Sequence, residues 1–129
     1  MTSRPAALAA LAALILGLLV ATAPSAHAAW DTQYRTHGAK IQLCKVPGDG
    51  YYRVRVRVDN RRGKHTHHGS VGRTRNGRYV GVVVRAAAGK VSRTKSVIYR
   101  NGDELSSGAG HQEGINFGDA ARIQNIPRC

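Results

Sequence analysis

The chain has 129 residues, with 20 Lys and Arg against 7 Asp and Glu, a formal charge of +13. At this length one compact domain is expected, which excludes a multidomain enzyme or a long repeat array. Only 4 Pro and a high β-branched content argue against a disordered basic tail.

Residues 1–28 read as a secretory signal peptide. Arg4 gives a short positive start, residues 6–20 form an almost unbroken Ala/Leu run, and Ala26-His27-Ala28 is a small-residue cleavage site. The run falls short of the roughly 20 apolar residues that span a bilayer. Cleavage is therefore expected, with no transmembrane segment in the mature chain. The folded unit is then a single domain over residues 29–129, and the protein is expected to be secreted. Losing Arg4 lowers the 20 Lys and Arg to 19 against the same 7 acids, so the charge stays at about +12. The Leu content falls to Leu43 and Leu105, leaving Val and Ile to build the core. Branching at Cβ suits a pleated surface, so strands are favoured over helices.

In chain order, residues 30–40 are polar with Trp30 and Tyr34 and could form a first edge strand. Residues 41–46 form a short strand, and Pro47-Gly48-Asp49-Gly50 is a turn signal. Residues 51–59 carry the clearest pattern: Tyr52, Val54, Val56 and Val58 alternate with Arg53, Arg55 and Arg57. Period two with one apolar and one charged face predicts a half-buried antiparallel strand. Residues 60–69 read as a basic loop. Residues 70–75 and 78–85 flank Asn76-Gly77, whose tolerance of positive φ predicts a type I′ hairpin.

A further strand is expected at residues 91–100. Asn101-Gly102 would return it to a short partner at 103–106, setting Arg100 opposite Asp103 as an ion pair. Residues 107–114 are Gly-rich and loop-like, and Ile115 and Phe117 alternate over a short strand. Residues 119–122 suggest one helical turn capped by Asp119. Cys44 and Cys129 are the only cysteines, and export to an oxidising space predicts that they pair. The bridge would close a loop of about 85 residues, contributing about 4 kcal/mol by constraining the unfolded chain. The expected fold is all-β: a small antiparallel β-sandwich or barrel with one disulfide, following a cleaved signal peptide.

Three constellations could carry function. The first is the arginine row, Arg53, Arg55 and Arg57, spaced about 6.8 Å apart along one strand face. Arg61, Arg62 and Lys64 in the loop and Arg73, Arg75 and Arg78 in the hairpin extend the set. The planar guanidinium fork matches phosphate, sulfate and carboxylate. The charge also exceeds what solubility requires. The expected partner is a polyanion, either nucleic acid or an anionic surface polymer; a solvated charged face is the competing reading, and the excess charge favours binding.

The second is His65, His67 and His68, imidazoles of the type that hold Zn²⁺ or Cu²⁺. No carboxylate lies within five residues of the cluster. The loop is accordingly read as a basic segment that gains charge on acidification rather than as a metal site. The third is His111 with Glu113, whose residue types would suit the acid and base of a small secreted nuclease. A secreted inhibitor or toxin-like protein, docking a partner through residues 60–69 or 107–114, is a further alternative. Dinucleotide, P-loop and nucleophile-elbow motifs are missing, so no cofactor is implied. The leading expectation is a secreted, non-enzymatic, polyanion-binding domain.

Overall fold

The computed structural model describes residues 29–129; the expected signal peptide lies outside the described residues. The elements are β1 (Asp31–Thr36), β2 (Ala39–Pro47), β3 (Tyr52–Asp59), β4 (His67–Arg75), β5 (Arg78–Ala86), β6 (Lys95–Tyr99), β7 (Glu104–His111) and β8 (Phe117–Ala121), then a 3₁₀ turn (Ile123–Asn125). They form two four-stranded sheets, ordered β1-β2-β3-β6 and β5-β4-β7-β8. Every strand pairing within them is antiparallel. The fold is all-β, as the β-branched composition predicts. Among the described residues no helix is long and apolar enough to cross a membrane.

The two sheets share one apolar core. Ile41 and Leu43 of β2, Val54, Val56 and Val58 of β3 and Val97 of β6 meet Val71 of β4, Val84 of β5, Leu105 and Ala109 of β7. The period-two pattern of β3 drives this, burying its valines and turning its arginines outward. Lys45 shares the inward parity, yet its ammonium is satisfied. It donates to the Ile123 carbonyl at 2.8 Å and lies 4.9 Å from the Tyr52 ring centroid. Cys44 and Cys129 form the expected disulfide across 85 residues. Residues 127–129 run beside β2, with Lys45 and Cys129 exchanging backbone hydrogen bonds with Pro127 and Lys45.

Asn76 (φ 50°) and Gly77 (φ 73°) make the β4–β5 turn, both in the left-handed region that a type I′ hairpin requires. A second such turn, His37-Gly38 (φ 44° and 86°), splits the expected edge strand into β1 and β2.

Several expectations are corrected. Residues 107–111 are not a loop, because β7 runs to His111 as an interior strand between β4 and β8, while 112–114 do lie in the connection that follows. Glycine serves close approach there: a Cβ on Gly110 would collide with the Gly114 carbonyl. The expected 91–100 strand is reduced to β6, and β6 and β7 lie in different sheets, so Asn101-Gly102 does not close a hairpin between paired strands. Arg100 therefore does not pair its side chain with Asp103; only its backbone N–H donates to that carboxylate, at 2.8 Å. Arg75 takes the carboxylate instead, at 2.7 and 2.6 Å. Residues 119–121 extend β8 rather than form a helical turn, and Ile115 falls before that strand. The basic loop ends at Thr66, since β4 begins at His67.

Candidate polyanion face and histidine cluster

Strand alternation places Arg53, Arg55 and Arg57 together on the outer face of the β1-β2-β3-β6 sheet. Registry extends this face. Gln42 lies opposite Arg57, Lys40 opposite Asp59, and Arg35 opposite Lys40. Arg57 is held rather than mobile. Its Nε donates to Gln42 Oε1 at 2.9 Å, Gln42 Nε2 donates to Thr32 Oγ1 at 3.2 Å, and the guanidinium carbon sits 4.3 Å from the Trp30 ring centroid. Partial burial, with the Arg61 charge adding to it, lowers the Arg57 pKa from its ordinary value, while Asp59 opposes the shift.

Asp59 is the one carboxylate at an outward strand position of this sheet, and it is already engaged. Arg61 donates to it through Nε at 2.9 Å and Nη2 at 2.7 Å. These hydrogen bonds lower the Asp59 pKa to about 2. A 230 Å³ depression lined by Gly38, Lys40, Asp59, Arg61 and Arg62 joins the sheet face to the loop. Lys64 is exposed farther along that loop.

The remaining arginines of the expected set lie on the other sheet. Arg73 and Arg75 share the inward parity of Val71, and Arg75 is opposite Arg78 beside the hairpin turn. Arg73 Nε is buried and has no hydrogen-bond partner among the described residues. A separate 470 Å³ cleft, lined by His68, Val83, Val84, Arg85, Arg93 and Lys95, contains cationic side chains and no carboxylate.

The histidines divide. His68 points to the outer face of its sheet and into that cleft, while His67 points inward and is fully buried. His67 does not meet His68 but gathers with His37, His65 and His111. Ring centroids are 5.0 Å apart for His67–His111, 5.4 Å for His65–His111, 5.7 Å for His37–His111 and 6.4 Å for His37–His67. Pairing of β4 with β7 sets His67 directly opposite His111.

A backbone approach and a side-chain amide deliver the others. Gly38 packs against loop 60–66 so closely that a Cβ there would stand 2.5 Å from the Arg62 carbonyl oxygen, which brings the His37 turn to the loop. Fully buried Asn60 donates from Nδ2 to the carbonyls of His65 at 2.7 Å and Ala86 at 3.0 Å, pinning His65. Burial, followed by the nearby His111, His37, His65 and His68, lowers the His67 pKa and favours its neutral ring. Among the described residues neither His67 nitrogen has a hydrogen-bond partner.

Glu113 is exposed in the connection after β7, and its side chain makes no hydrogen bond or ion pair among the described residues. The His111 ring instead stands 5.0 to 5.7 Å from three other imidazoles. Sequence reasoning missed His37. A His-Gly pair within a polar strand-like run was its one local sign of a turn.

The chain matches no family model, no curated protein and no solved structure. What the fold defines is a class: an all-β domain of two antiparallel sheets with one disulfide.

Proposed function

We propose that the protein is an exported, non-enzymatic domain that binds polyanions, nucleic acid or an anionic surface polymer, through the outer face of its β1-β2-β3-β6 sheet. One observation carries this reading. Arg35, Lys40, Arg53, Arg55 and Arg57 share that face, and its one carboxylate, Asp59, is already bound to Arg61. Among the described residues these five cations form no ion pair, which leaves them to water or to an external anion. Repeated phosphates or sulfates match a row of guanidinium groups at strand spacing. Trp30 supports the fit by bracing Arg57, so less side-chain freedom is lost when an anion arrives. In this reading the sheets form a β-sandwich that keeps the basic face open, and the disulfide suits an oxidising compartment.

Heparin chromatography in a salt gradient tests the reading. The protein is expected to elute at high salt, and Arg53→Gln/Arg55→Gln/Arg57→Gln at clearly lower salt. Arg78→Gln, on the other sheet, should elute close to the parent. Elution of the parent with neutral proteins, or no change in the triple variant, would overturn the proposal.

A further inference from the structure

We infer that His37, His65, His67 and His111 form a binding site for one divalent transition-metal ion of the class that prefers imidazole, Zn²⁺ or Cu²⁺. Three observations carry this. First, four imidazoles come together from three separate chain segments, with His37, His65 and His67 at centroid separations of 5.0 to 5.7 Å from His111. Rings sharing a tetrahedral ion with metal–nitrogen bonds of about 2.0–2.1 Å stand about 5 Å apart, close to the separations from His111, while His37–His67 at 6.4 Å is wider.

Second, His67 is fully buried with both nitrogens unpartnered. A buried imidazole without a hydrogen bond is costly, and a metal–nitrogen bond relieves that cost at one of its two nitrogens. Third, no carboxylate pairs with any of the four among the described residues, so an all-nitrogen donor set is the chemistry on offer.

Among the described residues no three donors yet stand in closed ligand geometry. The His37 and His67 rings are stacked, 22° apart. Closing the site requires ring rotation at His37 and His65, both of which are exposed in connecting segments. Binding would clip the β1–β2 turn and loop 60–66 to the shared end of β4 and β7.

Purified protein without a histidine tag, stripped with chelator, is titrated with Zn²⁺ and Cu²⁺ by calorimetry. Electron paramagnetic resonance of the Cu²⁺ form reads its nitrogen ligands. One equivalent is expected, with hyperfine coupling from at least three nitrogens and a Zn²⁺-dependent rise in melting temperature. His37→Asn, chosen because Asn accepts positive φ, and His111→Gln should each weaken binding at least tenfold. His68→Ala, facing the opposite surface, should not alter it. These variants leave buried His67 in place, and circular dichroism confirms that they fold. Absence of stoichiometric binding, equal affinity in His37→Asn and His111→Gln, or loss in His68→Ala would overturn the inference. So would binding with fewer than three nitrogens, the mark of ordinary surface histidines.

Discussion

Asp103 receives both Nε and Nη2 of Arg75, at 2.7 and 2.6 Å, from a strand 28 residues away. The carboxylate is almost fully buried, and the backbone N–H of Arg100 completes its shell. It thus ties the β4–β5 hairpin to the segment that crosses between sheets. The Arg75 hydrogen bonds are the main reason its pKa falls from 3.8 to about 2, against the upward pull of burial.

Acid stability follows from that shift and from the parallel one at Asp59. Both carboxyls hold their protons less tightly folded than unfolded, so their contribution is complete above about pH 4 and is lost as pH falls through about 2. Thermal melts should show the loss concentrated between those values. Asp103→Asn should lower the melting temperature at pH 7 and flatten the acid limb. An acid limb unchanged in Asp103→Asn would remove the pair from this role.

The disulfide should matter more than any single surface contact. Replacing Cys44 and Cys129 together by Ala frees an 85-residue span. The expected cost is about 4 kcal/mol in chemical denaturation, a large share of the stability of a domain this size.

Core packing predicts a different signature. Leu43 is fully buried within the shared cluster. Leu43→Ala should destabilise by about 3 kcal/mol through lost burial and a residual cavity. The denaturation midpoint should fall while the slope stays constant.

Gly110 tests why a glycine-rich segment became an interior strand. Its missing Cβ admits the Gly114 carbonyl, so Gly110→Val must displace residues 112–116 or bend β7. A cost of about 1–3 kcal/mol is expected from denaturation. Gly114→Ala acts at φ +117° and not through contact, since no atom lies within 4 Å of a Cβ there.

These residues show where local pattern carries information and where it stops. The Val/Arg alternation of β3 is written in the chain itself, because one face is buried and the other wet. Asn76-Gly77 is equally plain, since few residue pairs accept two positive φ values. β7 escaped because Ser106-Ser107-Gly108-Ala109-Gly110 has poor strand preference, and its strand form depends on β4 and β8 flanking it. The partner of Asp103 escaped for a related reason: the nearest cation in sequence, Arg100, lost to Arg75 when β6 and β7 joined different sheets. Within the histidine cluster, His65 and His67 were visible as neighbours, but His37 and His111 join them only through strand pairing and the Gly38–Arg62 contact. The outward row Arg53, Arg55 and Arg57 was legible. Its separation from Arg73 and Arg75 required the sheet assignment.

The most direct measurement of the central claim is the salt dependence of binding to a DNA duplex or heparin chain. The logarithm of the association constant, plotted against the logarithm of salt concentration, should fall steeply for the parent as counterions are released. For Arg53→Gln/Arg55→Gln/Arg57→Gln the slope should be shallower by about 2–3, close to one per lost contact. Equal slopes for the parent and this variant, or a parent slope near zero, would contradict polyanion binding by this face.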